Sequence, residues 1–382
     1  MATIRAEVFP AGDFLADELA ARGWTQAEFA DILGRPPQFV SEIITGKKEI
    51  TRESAAQLGA ALGTSAEMWL DLQDRYFLWL HSQDGPTQAA LKDVRIRARL
   101  KELAPIPLLV KRGFITSTTT EGRAAELRQL YRMDSLEDEP DLQIAARRTN
   151  QEEKLTPTQL AWVACVRALA EKRSVSDYSP KRLEALAVRL SQVVREAEHV
   201  TILPALFAEC GVTLVYVESF PSSKIDGCSL IVNEKPVIGI SGRGKRLDKV
   251  LFTVLHETAH VVLGHVDESG IIVDDPDNPH TLGTEKPADD LARTWTFPEA
   301  LPPAPARVRA EWVQEVASAL GVHPILVVGR LQNEKVLTWQ TPLAKGAPAV
   351  DAHLALWERP AVGGPSPRRA DAYSQPGIIG VG

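Results

Sequence analysis

The sequence predicts a multidomain protein that begins with an all-α domain, continues through a helical connector and ends in an α+β domain. Three patterns predict this order. Residues 1–80 contain short apolar segments of helical period that end at glycines, residues 81–200 keep the helical period, and β-rich segments begin near residue 201. A chain of 382 residues is also too long for one small domain, so two or three domains are expected.

The composition is that of an ordinary soluble protein, with 44% hydrophobic and 24% charged residues. The net charge of −7 argues against a surface coated in basic charge, but a local nucleic-acid site stays open. Cys165, Cys210 and Cys228 show no Cys-x-x-Cys spacing, so neither a disulfide framework nor a cysteine zinc knuckle is expected. The sequence shows neither a signal-peptide core nor an apolar run of roughly 18 residues, so we expect a cytoplasmic protein without a membrane segment.

The first domain is predicted to be a small bundle of short helices. "TQAE", residues 25–28, has the form of a capping box, in which a Thr hydroxyl and a Glu carboxylate satisfy backbone amides at a helix start. "TSAE", residues 64–67, repeats this form. Glycines follow the apolar segments at the positions where a helix ends, and these glycines are Gly23, Gly34, Gly46 and Gly63.

Within this bundle, "TQAEFADILGRPPQFVSEIITGKKEIT" predicts two short helices around a glycine turn, as in a helix-turn-helix. The second helix of that motif enters the major groove of DNA, and here it is expected over about residues 36–45. Its outward side chains can pair with base edges, and neighbouring polar and basic groups can hold phosphates. The candidate base-reading residues are Gln38, Ser41 and Glu42, and the candidate phosphate-binding residues are Gln26, Lys47 and Lys48.

A helical bundle used only for protein contact is the alternative interpretation. Residues 1–80 carry seven basic and twelve acidic groups, a net charge of −5, which is unfavourable for DNA binding. A dimer that doubles the lysine contacts would answer this objection. The stretch of residues 10–73, including its closing Trp-Leu-x-Leu-Gln, resembles the HigA-type antitoxins of the Xre helix-turn-helix family. The resemblance implies binding to a double-stranded operator, which we expect to be an inverted repeat bound by a homodimer.

The middle and the end of the chain carry weaker signals. Residues 81–200 are predicted to be a helical connector, because amphipathic segments such as "RLEALAVRLSQVV" recur there without a β-rich segment. Residues 201–340 form the predicted α+β domain, in which "VTLVYVE", "CSLIV" and "PVIGIS" precede a long helix. From residue 341, Pro and Gly make up about 29% of the chain, which predicts a disordered tail over 341–382.

The long helix carries the motif His256-Glu257-Thr258-Ala259-His260 within "TVLHETAHVVLGH". Residues four apart lie on one helix face, so His256 and His260 can each direct a ring nitrogen at one Zn²⁺ ion. Glu257 borders that position and could accept a proton from a water activated by the metal. The alternative is a chance pattern on an ordinary helix, but such a match is expected on the order of 0.01 times in a chain of this length.

The third metal ligand is predicted to be Glu285, in "EKPAD" at the start of the next helix, with Asp289 orienting a ligand histidine. His265 lies about 140° round the helix from His260 and cannot reach the same ion unless the helix ends first. Three residues of the intervening loop stay open as other third ligands, and these are Asp274, Asp275 and His280.

Four stretches resemble the ImmA/IrrE family of metallo-endopeptidases: "KIDGCSLIV", "PVIGISGRGKRLDKVLFTVLHETAHVVLGH", "EKPADDLARTWTFP" and "ALGVHPILVVGRLQ". The resemblance covers about residues 200–340. It implies a zincin-like α+β fold and hydrolysis of peptide bonds. The residues that would carry out this hydrolysis are His256, Glu257, His260 and Glu285. The sequence departs from the family at Pro287, where a second acid is frequent, and at Leu291–Ala292, where an aromatic residue is missing.

Together the motifs and the two resemblances predict a cytoplasmic prokaryotic regulator that joins a DNA-binding domain to a zinc endopeptidase. The resemblance to the ImmA/IrrE family implies that this domain cleaves the protein itself or a cognate repressor. The rival is a HigA-like antitoxin or repressor whose zinc domain is a sensor or scaffold without proteolysis. A housekeeping protease is disfavoured by the fused DNA-binding domain. Cys228, beside Gly227, could block the metal as a redox-sensitive ligand, but a buried inert thiol is the preferred interpretation.

Overall fold

The structure, a computed structural model, describes residues 8–142, 154–266, 271–274, 282–297 and 299–358. Two compact units make up the chain, residues 1–98 and residues 99–382. As the sequence predicts, the N-terminal region and the middle are helical, and the C-terminal region is α+β with a mixed four-stranded sheet.

Five helices and the greater part of a sixth form the first unit. Its core is apolar and contains the fully buried side chains of Leu15, Phe29, Val40, Leu58 and Trp69. The helices are α1 (Ala11–Arg22), α2 (Gln26–Leu33), α3 (Pro37–Ile44), α4 (Arg52–Leu62), α5 (Ala66–Gln83) and α6 (Gly85–Leu103).

Local side-chain bonds start these helices where the sequence allows them. The Thr25 hydroxyl accepts a hydrogen bond from the Glu28 amide at 3.2 Å, and the Thr25 amide donates to the Glu28 carboxylate at 2.8 Å, which confirms the predicted capping box. The box predicted at residues 64–67 is wrong, because Ser65 caps α5 instead. The Thr64 hydroxyl accepts a hydrogen bond from the indole of Trp69 at 2.8 Å, so it is already engaged.

The second unit alternates helices with a sheet. Its helices are α7 (Ile106–Lys111), α8 (Thr120–Tyr131), α9 (Pro157–Ala170), α10 (Pro180–Val193), α11 (Leu203–Glu209), α12 (Leu247–Val262), α13 (Leu282–Thr296), α14 (Ala310–Leu320), α15 (Pro324–Asn333) and α16 (Asp351–Leu354). Its strands are β1 (Thr213–Tyr216), β2 (Gly227–Val232), β3 (Lys235–Ile240) and β4 (Ile271–Asp274).

The sheet has the order β1-β3-β2-β4, with β1 parallel to β3 and the other two pairs antiparallel. Helix α12 packs on one face of β2 and β3, and α9 packs on the other face. A Cβ atom at Gly239 would lie 2.6 Å from Val166, so glycine at this position of β3 allows the close approach of α9. The sheet is therefore covered on both faces, and the helix with the two histidines lies directly against it.

The predicted boundaries differ from the observed ones in the middle of the chain. Residues 81–200 do not form a separate connector, because the first unit ends at residue 98. Helix α9 packs on the sheet, and α10 lies in the same apolar core as α12 and α13. A helical hydrophobic period predicts that a helix has a buried face, but it does not show what that face packs against.

The predicted disordered tail is wrong over residues 341–358. Val350, Leu354 and Trp357 are buried in the core of the second unit, and the Trp357 indole donates a hydrogen bond to the Val200 carbonyl at 3.1 Å. Nine of the twelve Pro and Gly residues that suggested disorder follow residue 358. A composition taken over the whole segment therefore concealed three anchoring apolar residues. The remaining predicted tail, 359–382, lies outside the described residues.

Among the described residues, no single helix has both the length and the hydropathy of a membrane span. One pair, α14 with α15, passes this test only when the two helices are joined, and it bends by 110° at the break.

Candidate metal centre and helix-turn-helix surface

Helix α12 brings the two histidines and the glutamate of the motif into the interior. Its apolar residues, including Val254, Leu255 and Ala259, are buried in the core shared with α13. The polar motif lies among these buried residues and is buried as well. His256 is 3% exposed, and Glu257 and His260 are fully buried.

Three side chains converge between α12 and α13. The Nε2 atoms of His256 and His260 lie 3.0 Å apart. The carboxylate of Glu285 lies 3.1 Å from His256 Nε2 and 3.5 Å from His260 Nε2. Zinc–ligand bonds of 2.0–2.1 Å in a tetrahedron place ligand atoms about 3.3 Å apart. The spacing of the three predicted ligand atoms therefore suits one zinc ion.

The protonation states also suit a cation. Burial lowers the pKa of His260, so its imidazole favours the neutral form that ligates metals. Burial alone would raise the pKa of Glu285, but hydrogen bonds from His256 and His260 outweigh it and lower the pKa to about 2. Two imidazoles and one carboxylate form a typical zinc donor set, and no second such group occurs among the described residues.

A partner holds the second ring nitrogen of each histidine. His256 Nδ1 lies 3.0 Å from Asp289 Oδ1, the position predicted for an orienting carboxylate, and Arg293 binds the other oxygen of Asp289 at 3.1 Å. His260 Nδ1 lies 3.1 Å from His265 Nδ1. Sequence reasoning missed this second contact. Helix α12 ends at residue 262, and the turn that follows places His265 beside His260 rather than beside the three converging ligand atoms.

Strand β2 holds Glu257 from the other side. The Ser229 hydroxyl donates a hydrogen bond to Glu257 Oε2 at 2.6 Å. A Cβ atom at Gly227 would lie 2.4 Å from Glu257 Oε1, so only glycine leaves room for this carboxylate. Neither residue was predicted from the sequence. The sequence indicates a short strand at "GCSLIV", but it does not indicate which helix the strand packs against.

Cys228 lies between these two residues and points the other way. Side chains alternate along a strand, so Ser229 faces α12 while Cys228 faces α9. The Cys228 sulfur lies next to Gly239, where an added Cβ atom would be 3.1 Å from it and 2.6 Å from Val166 on α9. Burial raises the pKa of its thiol well above the ordinary value, and the charge of Glu257 adds to this. The preferred interpretation of a buried thiol fits this position.

Three other residues were predicted as possible third ligands in place of Glu285. Asp275 and His280 lie outside the described residues, as does the side chain of Asp274. Pro287 lies inside α13, and Ala292 is fully buried where the aromatic residue of the resembled family is missing.

On the first unit, the predicted DNA-contact residues belong to α2, to α3 and to the turn that follows α3. Gln26, Gln38, Lys47 and Lys48 are exposed, and Ser41 and Glu42 are half-buried. Within α3, the Gln38 amide donates to the Glu42 carboxylate at 2.8 Å. Lys48 Nζ lies 3.8 Å from the same carboxylate and 5.0 Å from the centre of the Phe39 ring. Glu42 therefore engages two of the residues that are predicted to contact DNA.

The family model described as helix-turn-helix matches residues 15–69. An uncharacterized HTH-type transcriptional regulator of Escherichia coli strain K12, YddM, is 34% identical over 67 residues, which are 18% of this chain and 71% of the relative. The chain belongs to the helix-turn-helix family. A solved structure of an addiction module antidote protein of the HigA family from Coxiella burnetii is 29% identical in sequence. The match covers 22% of this chain and 90% of the chain in that structure, with a TM-score of 0.21.

The family match accounts for α2, α3 and their surroundings, and it ends before the metal centre begins. The helix-turn-helix domain and the cluster on α12 and α13 belong to different units of the chain. The function of the second unit must therefore be argued from its own residues.

The first prediction concerns metal content. Purified full-length protein is expected to hold one zinc ion per chain, measured by elemental analysis, and to lose thermal stability when a chelator removes it. The double variant His256→Ala/His260→Ala should hold none, because two of its three protein ligands are gone. Asp289→Asn should weaken zinc affinity by about 10–100-fold, since it releases one ligand ring.

The matched control is His81→Ala, which removes an exposed histidine at the end of α5. It should leave zinc content and the chelator effect unchanged. Full zinc occupancy in the double variant would show that the metal lies elsewhere or that the cluster binds none.

Proposed function

We propose that the protein is a DNA-binding regulator whose second unit is a zinc-dependent endopeptidase of the ImmA/IrrE type. The proposed domains are a helix-turn-helix domain over residues 1–80 and a peptidase domain over about residues 201–340. The observation that carries the proposal is the convergence of His256, His260 and Glu285 on one point, beside a buried glutamate on the same helix. The resemblance of residues 200–340 to that peptidase family supports it.

The chemistry that we propose is hydrolysis of an amide bond. A zinc ion bound by the three ligands would supply Lewis acidity, which polarises a carbonyl group and lowers the pKa of a coordinated water to about 7. Glu257 takes the proton from the attacking water as the new C–O bond forms, and gives it to the amide nitrogen as the C–N bond breaks.

The surrounding residues orient these groups. Ser229 holds the Glu257 carboxylate through its 2.6 Å hydrogen bond, so the base keeps one orientation. Asp289 and His265 each lie beside the second nitrogen of one ligand imidazole and fix the direction of that ring. These contacts keep the ligands in position through substrate binding and product release.

The proposed substrate is a protein, either a second molecule of this chain or a cognate repressor. Fusion to a DNA-binding domain supports a regulatory substrate over general proteolysis, since cleavage of a regulator changes the occupancy of an operator. The rival proposal is an antitoxin-like repressor in which the metal cluster is only a sensor or a scaffold. The likeness of residues 15–69 to helix-turn-helix proteins fits either proposal.

The second prediction tests proteolysis. Zinc-loaded wild-type protein is expected to cleave itself or the product of a neighbouring gene at one site, as seen by mass spectrometry of intact fragments. Glu257→Gln should bind zinc normally but cleave about 10²–10⁴-fold more slowly, because the proton acceptor is gone.

Glu315→Gln, which changes an exposed residue on α14, is the control and should cleave like the wild type. If wild-type and Glu257→Gln proteins both bind zinc and neither cleaves any such substrate, the rival without proteolysis is favoured.

The third prediction tests DNA recognition. The protein should bind an inverted repeat whose half-site centres lie about one helical turn apart, roughly 34–36 Å. Lys47→Ala/Lys48→Ala should weaken binding to every sequence and reduce the salt dependence by about two counterions, because two phosphate contacts are lost. Gln38→Ala should cost about 1–3 kcal/mol at one base position only.

Lys181→Ala removes an exposed lysine from α10 and should not change the affinity. Fluorescence anisotropy at several salt concentrations measures all three variants. An unchanged affinity and salt slope in the double lysine variant would contradict the proposed binding surface.

A further inference from the structure

Helix α6 contains the boundary between the two units, which falls between Ala98 and Arg99. The structure describes every residue from Trp69 to Leu100, and none of the side chains between these two is buried. Trp69 belongs to the apolar core of the first unit, and Leu100 is buried in the second unit. The chain that joins the two units is therefore helical but has no apolar core of its own.

The two halves of this stretch differ in what they contact. The first part of α5 is fixed to the helix-turn-helix domain, because α5 packs on α4 and the Gln73 amide donates to the Ile50 carbonyl at 3.1 Å. Residues 84–98, which we call the linker segment, begin with a local contact. The Asp84 carboxylate accepts a hydrogen bond from the Thr87 amide at 2.9 Å and so caps the start of α6.

The linker segment depends on its own helical bonds for stability. Arg97 pairs with Asp93 at 3.0 Å, one turn away in the same helix. Just beyond the segment, the Arg99 guanidinium donates to the Leu136 carbonyl at 2.9 Å, which is a contact with the second unit. Isolated helices shorter than about 12–15 residues are marginal in water, because most helical stability in proteins comes from tertiary packing. The linker segment is therefore expected to open locally at a lower free energy than the packed helices on either side.

A second exposed stretch offers a comparison. Residues 333–349 also lack a fully buried side chain, but Leu337 and Leu343 pack against the core of the second unit. In the linker segment, Leu91 is 43% exposed and Val94 is 53% exposed. The apolar contacts that oppose local opening are thus weaker in the linker segment.

Local opening matters to an endopeptidase because the bond that it attacks must be free of helical hydrogen bonds. When opening is fast, cleavage of a folded protein follows the population of the open form. Proteolytic nicking accordingly concentrates in exposed segments with few stabilising contacts. The linker segment has these properties, and it lies at the one position where a single cut separates the two units.

We propose that the linker segment is the sequence that the zinc-dependent endopeptidase cleaves in a second molecule of this chain. This inference rests on the proposed peptidase function. Water adds across one peptide bond of the segment, so that its oxygen joins the carbonyl carbon and a proton passes to the nitrogen as the C–N bond breaks. The first fragment gains a carboxylate end, and the second fragment gains an amino end.

Both fragments keep their apolar cores. The core of the first unit lies within residues 11–69, and the buried side chains of the second unit begin at Leu100. Cleavage therefore releases a folded helix-turn-helix domain from a folded metal-binding unit. The regulatory result is that the DNA-binding domain loses its covalent connection to the peptidase.

The test uses two forms of the full-length chain. The substrate is Glu257→Gln labelled with ¹⁵N, because it lacks the proposed base and its fragments differ in mass from those of the enzyme. A small amount of unlabelled, zinc-loaded wild-type protein is the peptidase. Intact-mass spectrometry is expected to show two labelled fragments that place the cut between residues 84 and 98. Wild-type protein treated with a chelator should produce neither fragment.

Substitutions in the substrate alone change the stability of the linker segment and leave the enzyme unaltered. Ala89→Gly/Ala90→Gly lowers the helix propensity at two exposed positions and should raise the cleavage rate at least about fivefold. Asp84→Ala removes the cap of α6 and should raise the rate at least about twofold. Ala60→Gly is the matched control, since it makes the same change at an exposed position of the packed helix α4, and it should not alter the rate.

Trypsin tests the opening of the helix without the zinc site. It should cut after Arg95 or Arg97 in the linker segment well before it cuts after Arg189, which is exposed on the packed helix α10. Ala89→Gly/Ala90→Gly should accelerate the first of these cuts and leave the second unchanged.

The outcomes separate this inference from the proposed function. Zinc-dependent cleavage of another protein, or of this chain outside residues 84–98, would overturn the inference and leave the peptidase function standing. A linker segment that resists trypsin as long as α10 does would contradict the local opening on which the inference depends. A trypsin-sensitive linker segment, with no zinc-dependent cleavage of this chain or of a neighbouring gene product, would contradict the inference and the peptidase function together.

Discussion

Two buried imidazoles and a partly buried carboxylate between α12 and α13 form the constraint on which the candidate metal site depends. Nitrogen atoms 3.0 Å apart and a carboxylate with a pKa of about 2 concentrate polarity inside an apolar core. Buried polar groups are costly unless each has a partner. One cation bound between the two imidazoles and the carboxylate would satisfy all three groups at once. It would also link α12 to α13, which already pack together through their apolar residues.

The same helix links the sheet to the metal centre. Ser229 and Gly227 on β2 receive the Glu257 carboxylate, while His256 and His260 face α13. The position of the Glu257 carboxylate relative to the two imidazoles is therefore set by the packing of α12 on β2. If the proposed hydrolysis takes place, a change in that packing would slow it without touching a proposed ligand, because a small displacement of a catalytic group is costly.

The parts of the site that the sequence predicts are those within one periodic segment. His256, Glu257 and His260 follow from helical spacing, and Glu285 with Asp289 follows from the same spacing on the next helix. Ser229, Gly227 and His265 could not be predicted in this way, since their roles depend on strand pairing and on the turn after α12. The packing of α9 on the sheet and the burial of Trp357 were missed for the same reason. Periodicity shows that a face is buried, and only the tertiary structure shows its partner.

The claim at the centre of this interpretation is that His256, His260 and Glu285 bind zinc together. Zinc K-edge X-ray absorption on the purified full-length protein tests it most directly, because the spectrum reports the ligand atoms themselves. The predicted spectrum has two imidazole ligands and additional oxygen ligands at about 2.0–2.1 Å, with no sulfur. A sulfur shell near about 2.3 Å, or a spectrum that His260→Ala leaves unchanged, would contradict the claim.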